Sequence, residues 1–240
     1  MANTSGIASI NINDHHRTIA AQTPVFFHYT AGIVLLFGTL SSVFTNGSVL
    51  LVFFVKDKSH LTKINIYIAT ICILSLLMAI FGVPLVVISS FNKVWRFGDI
   101  GCQFYGFLMT FCSMTTMLIL TAIAIDRYIY VVKSNFSIYL STVYSIVIIS
   151  VCAAITLAFA LCPLFGWNQY TYEGVGTACA IDLIGENNNG RSYVLTLLVV
   201  FFLIPVSTMI FSYVSIYTKV SSVTFYHKDY ENIASSNNAI

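Results

Sequence analysis

The sequence predicts an α-helical membrane protein with five membrane spans. Of its 240 residues, 58% are hydrophobic and only 8% are charged, and the mean hydropathy is +0.85. Soluble domains carry about 25% charged residues, so this composition indicates a chain that lies in lipid. The net charge of +2 provides no basic patch, and we therefore expect no nucleic-acid partner.

Long apolar runs define the predicted spans. The run between Asp99 and Asp126 contains no charged residue, and as a helix it is about 39 Å long at ~1.5 Å per residue. A bilayer core is roughly 30 Å thick, so this helix can cross it with some tilt. Pro84 interrupts another run and predicts a kink there. The same reasoning predicts helices at about residues 27–55, 64–91, 101–133, 139–163 and 192–219.

The two ends of the chain are polar. Residues 1–26 form a predicted extracellular tail, and residues 220–240 form a predicted cytoplasmic tail whose end we expect to be disordered. This orientation places most lysines and arginines of the short loops in the cytosol. Asn3 begins an Asn-Thr-Ser glycosylation acceptor, which is usable only on an extracellular tail. His15 and His16 have no further ligands nearby, so we expect no metal site.

The six cysteines divide by position. Four of them lie inside apolar runs, where a free cysteine behaves as a small hydrophobe. Cys102 and Cys179 lie at the edges of such runs and are the plausible disulfide pair. The predicted orientation places both in the oxidising compartment, where a disulfide persists.

Three features can carry chemistry, and each also has a purely structural interpretation. Asp126 and Arg127 can be an interfacial charge pair at the end of the third span. Glu173 can be one of the many loop acids that are simply solvated. A row of side chains on the third span, spaced by three and four residues, can be ordinary helix packing; its members are Tyr105, Met109, Thr110, Ser113, Met114 and Met117. No set of nucleophile, base and orienting group is present, so the sequence gives no support for an enzyme.

Motifs in register along the chain resemble those of rhodopsin-like (class A) G-protein-coupled receptors. The matching positions are Asn46 in the first span, Trp95, Phe97 and Gly98 in the loop before the third, Cys102, the Asp126-Arg127-Tyr128 triplet, and Phe202, Pro205 and Tyr213 in the fifth. Within that family the chain is similar to the opsins, because the loop before the fifth span has their spacing of Gly166-Trp167, Tyr170, Glu173-Gly174, Cys179 and Asp182.

Some positions depart from the family pattern. Ser75 and Thr70 stand where an aspartate and an asparagine are usual, and Ala153 stands where a tryptophan is usual. The polar network that links the helices must therefore differ here. The resemblance implies a partial seven-helix bundle, with helices one to five in residues 27–219.

The resemblance also implies roles for individual residues. A complete relative binds retinal, isomerises it on absorbing light and activates a heterotrimeric G protein. Glu173 then matches the counterion of the retinal Schiff base, since the alternative helix position holds the neutral Tyr105. The row from Tyr105 to Met117 lines the retinal pocket. Asp126, Arg127 and Tyr128 form the G-protein-coupling end, with Arg127 meeting the G protein.

Retinal attachment in an opsin needs a lysine buried in the bundle. The seven lysines lie outside the apolar runs, at positions 56, 58, 63, 93, 133, 219 and 228, so we expect no covalently bound retinal. An opsin fragment in the plasma membrane or retained in the endoplasmic reticulum is the main interpretation. The alternatives are a divergent non-opsin receptor with a diffusible ligand and a non-signalling partner of full-length receptors. Met109 argues against an amine receptor, which needs an aspartate at that position.

Overall fold

The computed structural model describes residues 23–55, 63–133, 142–173, 175–183 and 188–237. Five helices in these ranges are long and apolar enough to cross a membrane, by length and composition. The predicted all-α transmembrane fold is therefore confirmed. Asn3, His15 and His16 lie outside the described residues.

The spans are helices of 20 residues or more, two of them interrupted. The first is Val25–Val55, the third is Gly98–Val132, and the fourth is Thr142–Leu161 with a 3₁₀ turn at Cys162–Phe165. The second runs Lys63–Leu77, Met78–Gly82 and Val83–Asn92, and the fifth runs Asn188–Leu198, Val199–Leu203 and Ile204–Asn237; in both, the middle piece is π-helical. An antiparallel hairpin of Tyr170–Glu173 and Ala178–Ile181 lies between the fourth and fifth spans.

Each π-helical segment comes just before a proline. Met78–Gly82 precedes Pro84, and Val199–Leu203 precedes Pro205. Proline has no amide hydrogen, and its ring clashes with the carbonyl four residues back, so the preceding turn widens to accommodate it. The break that the sequence predicts near Pro84 takes this form.

The fifth helix is longer than predicted at both ends. It begins at Asn188 rather than near residue 192, and it continues to Asn237 rather than ending near 219. The helix therefore occupies most of the predicted polar tail, and residues 238–240 at its end lie outside the described residues. No glycine or proline follows Pro205 before Asn237, so nothing in the backbone chemistry stops the helix.

The third span lies at the centre and contacts the second, fourth and fifth spans and the hairpin. A core of Tyr67, Leu74, Cys112 and Ile119 joins its middle to the second span. Toward the fourth span, the Oγ1 atoms of Thr115 and Thr156 are 2.6 Å apart and fully buried. This hydroxyl pair links the third and fourth spans one turn from Ala153.

Thr156→Val tests the hydroxyl link between the third and fourth spans. Valine keeps the shape of threonine and removes the hydrogen bond, so we expect the unfolding free energy in detergent or lipid to fall by about 1 kcal/mol. The matched control is Thr45→Val, because the exposed Thr45 hydroxyl bonds only to carbonyls of its own helix. Thermal unfolding measures both variants. Equal losses for the two would show that the link contributes nothing specific.

Candidate functional site

The predicted disulfide between Cys102 and Cys179 is present. The two Cα atoms are 5.4 Å apart, and both residues are 3% exposed. The bond joins the first turns of the third span to the second hairpin strand. Val86 and Trp95 pack around it in one buried cluster. We call this region the hairpin end of the bundle.

Hydrogen bonds shape the hairpin and fasten it to the loop before the third span. Tyr172 pairs with Cys179 and Glu173 with Ala178. The turn closes with the amide of Gly176 donating to the Glu173 carbonyl at 2.9 Å, and Gly176 has a φ of +73° that suits glycine. The amide of Trp95 donates to the Gly176 carbonyl, also at 2.9 Å. The turn is therefore held by backbone bonds on both sides.

Tyr170 inserts from the hairpin between the third and fourth spans. Its ring lies against Gly106, where an added Cβ atom would overlap the ring. Its hydroxyl donates to the Ala160 carbonyl at 2.8 Å and also interacts with Thr110. Burial raises the pKa of Tyr170 to about 12, so the phenol stays neutral and remains a donor at physiological pH.

Glu173 and Tyr105 influence each other electrostatically. Glu173 is exposed at the end of its strand, and its charge acts on the Tyr105 hydroxyl. The Tyr105 ring lies 5.7 Å from that of Trp95, centroid to centroid. On the neighbouring residue of the strand, the Tyr172 hydroxyl donates to Asp99 Oδ1 at 2.7 Å. The charge of the hairpin acid therefore reaches the one tyrosine of the predicted row.

The other residues of the predicted row on the third span contact different elements. Met109 faces the second span, where its sulfur would lie 2.8 Å from a Cβ added to Gly82. Ser113, which is exposed, has its hydroxyl 3.8 Å from the sulfur of Met78 in the same span. Thr110 turns toward Tyr170, and Met114 and Met117 are half-buried. Part of the row therefore packs on the second span, and its role in ligand binding stays a prediction.

At the opposite end of the third span, the Asp126-Arg127-Tyr128 triplet divides between core and surface. Asp126 is 6% exposed, whereas Arg127 is exposed. Tyr128 packs on Phe211 of the fifth span, with ring centroids 5.6 Å apart. We call this region the Asp126 end.

The remaining motif residues occupy the first and fifth spans. The Asn46 side chain donates to the Ser42 carbonyl at 2.9 Å, within its own helix. Pro205 is fully buried, and Tyr213 is 54% exposed. Their roles in a receptor stay predictions. Among the residues that the structure describes, no group of histidine, cysteine, aspartate or glutamate could hold a metal ion.

Sequence reasoning missed the glycines of this site. A Cβ at Gly106 would overlap the Tyr170 ring, and a Cβ at Gly82 would require the Met109 thioether to shift. Small residues let neighbouring segments approach closely in membrane proteins, so glycines inside apolar runs were the available signal. Their partners could not be identified, because they lie on other elements.

Gly106→Ala tests the packing of the Tyr170 ring against Gly106. The new methyl group overlaps the ring, so we expect the hairpin to shift and the unfolding free energy to fall by about 1–3 kcal/mol. Gly47→Ala is the matched control, because nothing lies within 4 Å of a Cβ at that helical position. Thermal unfolding and limited proteolysis of the hairpin measure both variants. Equal thermal stability and equal proteolysis of the two variants would contradict the close packing of Tyr170 on Gly106.

Comparisons with known proteins agree with this architecture. The model of the family "7 transmembrane receptor (rhodopsin family)" matches residues 45–238. The melanopsins of Phodopus sungorus and Homo sapiens are each 31% identical over 201 residues, which is 83% of this chain and 42% of each relative. The crystal structure of squid rhodopsin superposes with a TM-score of 0.77 at 29% identity, covering 89% of this chain and 61% of that one. The chain therefore belongs to the rhodopsin family of seven-transmembrane receptors, as an opsin-like, multi-pass membrane protein.

Proposed function

We propose that the hairpin end and the row on the third span bind retinal, with Glu173 as the counterion of a retinal Schiff base. We also propose that the Asp126 end couples to a heterotrimeric G protein, as in an opsin-like photoreceptor. The chain spans 42% of the length of the melanopsin relatives, so retinal binding and G-protein coupling are proposals for it. One observation carries the proposal. The hairpin is fastened to the third span by the disulfide, and the charge of Glu173 acts on Tyr105 of that span.

The fastening gives the hairpin the properties of a fixed lid. The disulfide and the hydrogen bond from Tyr172 to Asp99 attach the two strands to the third span, and the buried Tyr170 attaches the first strand to the fourth. A ligand under this lid meets side chains whose positions are set before binding. Preorganisation of this kind lowers the ordering cost that binding must overcome.

Glu173 is suited to stabilise a cation at the hairpin end. A carboxylate near a cation favours the charged form of that cation by attraction of opposite signs. Tyr105, the residue on which the Glu173 charge acts, is a phenol, and phenols are neutral near pH 7. The acid of the hairpin is therefore our candidate for the charge that balances a bound cation.

The row on the third span fits the hydrocarbon part of retinal. Tyr105 and Thr110 interact with hairpin residues, and Met109 lies against the second span; together they offer an aromatic ring, a small side chain and a polarisable thioether. Bound retinal supplies light absorption and isomerisation. The structure describes the side chains of Lys93, Lys133 and Lys219, all exposed, so we propose that the row and the hairpin contact retinal without a covalent bond to it.

The Asp126 end is suited to meet a protein partner. Arg127 is the exposed cation of the triplet, and Tyr128 contacts Phe211 of the fifth span. A shift of the fifth span would therefore move Tyr128, the residue next to Arg127. We propose that this end lies in the cytosol, that the G protein binds there, and that the hairpin end is extracellular.

Binding of charged and neutral forms of retinal to Glu173→Gln tests the proposal. The probes are 11-cis-retinal and its protonated Schiff base made beforehand with butylamine, added to the chain in lipid nanodiscs. We expect the variant to bind the cationic probe about tenfold more weakly, the loss typical of one charge-assisted contact. Its affinity for neutral retinal should not change. Quenching of tryptophan fluorescence measures both affinities.

Asp182→Asn provides the matched control, because it removes another acid from the same loop. This variant should bind both probes as the unmodified chain does. Equal effects at the two acids would contradict the counterion role. Failure of the unmodified chain to bind either probe would contradict retinal binding and favour a receptor for a diffusible ligand.

A further inference from the structure

At the Asp126 end, three polar side chains from three different spans meet inside the bundle. Tyr67 comes from the second span, Asp126 from the third and Ser145 from the fourth. Tyr67 and Ser145 are 0% exposed and Asp126 is 6% exposed. The Tyr67 hydroxyl interacts with both of the other side chains. We call these three residues the polar junction.

The Tyr67 ring is fixed by its surroundings. It belongs to the same core as Leu74, Cys112 and Ile119, and close packing of this kind leaves the ring no free rotamer. The hydroxyl at its tip must therefore find its partner where it lies. Its neighbours there are the Ser145 hydroxyl and the Asp126 carboxylate.

Both hydroxyls of the junction need a partner. Neither Tyr67 Oη nor Ser145 Oγ makes a hydrogen bond of ordinary geometry to a residue within the described ranges. A buried hydroxyl without a hydrogen bond costs about 1–3 kcal/mol. The carboxylate of Asp126 is the strongest acceptor beside them, and a bond to it, direct or through one ordered water, removes that cost.

The junction has a consequence for the neighbouring arginine. Successive residues of a helix point about 100° apart, so holding Asp126 in the core turns Arg127 toward the surface. Arg127 is exposed in the structure. An anchor on Asp126 from Tyr67 of the second span, which itself interacts with Ser145 of the fourth, would therefore set the rotation of the last turns of the third span.

We propose that Tyr67, supported by Ser145, is a positioning residue that anchors Asp126 and thereby presents Arg127 at the surface. The significance for signalling rests on the proposed function, whereas the anchoring itself does not. Tyr67 lies in an apolar run outside the sequence motifs of the receptor family that the chain displays. Its role follows only from the meeting of the three spans.

Tyr67→Phe tests the anchor by removing one buried oxygen and nothing else. Hydrogen–deuterium exchange of the intact chain in nanodiscs should then be about tenfold faster for the amides of residues 127–132, the effect of losing one hydrogen bond to a charged group. Exchange at residues 98–106, in the first turns of the same span, should not change.

Tyr193→Phe is the matched control. Tyr193 is also 0% exposed, and its hydroxyl donates to the Phe159 carbonyl at 2.8 Å, so the same atom is lost at a different site. This variant should leave exchange at residues 127–132 unchanged. An equal rise in both variants would show general loosening and would overturn the proposal, as would no rise in Tyr67→Phe.

A double-mutant cycle separates anchoring from packing. In an Asp126→Asn background, Tyr67→Phe should change exchange at residues 127–132 by less than about twofold, because the carboxylate partner is already gone. Ser145→Ala should resemble Tyr67→Phe with a smaller effect. A Tyr67→Phe effect that is equally large with and without the carboxylate would overturn the assignment.

Nucleotide exchange by a purified heterotrimeric G protein separates the anchor from the proposed coupling. If the unmodified chain does not stimulate exchange but the deuterium pattern is as expected, the anchor stands and the proposed coupling fails for this chain. If the chain stimulates exchange, Tyr67→Phe should change the stimulated rate and Tyr193→Phe should not. An unchanged deuterium pattern overturns the anchor whatever the nucleotide result.

Discussion

The bond between Cys102 and Cys179 is the constraint on which the hairpin end depends. It closes a loop across a sequence separation of 77 residues, and in the chain-entropy account such a loop stabilises the fold by about 4–5 kcal/mol. With Cys179 held at the third span, its strand partner Tyr172 reaches Asp99, and the charge of the adjacent Glu173 acts on Tyr105. The proposed counterion is therefore positioned by a covalent bond on the neighbouring strand.

Within the bundle, shape and buried hydroxyls take the place of a hydrophobic driving force. Lipid is as apolar as a leucine side chain, so helices in a membrane gain little from apolar contact alone. Gly82 and Gly106 allow close approach, and Thr115 and Thr156 bond across the third and fourth spans. Tyr67 adds a polar contact at the Asp126 end. These interactions are few and local, so each is a sensitive point for substitution.

The spans and the disulfide were predictable from sequence because each depends on a property of contiguous residues. Charge-free runs located most helix ends to within a few residues, and their edges identified Cys102 and Cys179. The continuation of the fifth helix to Asn237 was not predicted, because the residues after 219 are polar. The absence of glycine and proline from this segment was the signal that favoured a helix. The hairpin was not predicted either, since its pairing depends on attachment to the third span.

The site was predictable only in part, for a physical reason. A single-helix pattern predicted the row from Tyr105 to Met117, but the neighbouring span decides where Met109 points. Likewise, Tyr67 resembles any other aromatic residue of an apolar run until Asp126 and Ser145 are placed around it. The direction of Met109 and the surroundings of Tyr67 depend on contacts between helices, which a pattern within one helix cannot predict.

Peptide mapping without reduction tests the central constraint most directly. The chain is purified from membranes, its free thiols are blocked under denaturing conditions, and it is then digested. We expect one linked pair of peptides containing Cys102 and Cys179, with blocked thiols at Cys72, Cys112, Cys152 and Cys162. Blocked thiols at both Cys102 and Cys179 in folded protein would contradict this constraint, because the hairpin would then lack the bond that holds its second strand at the third span.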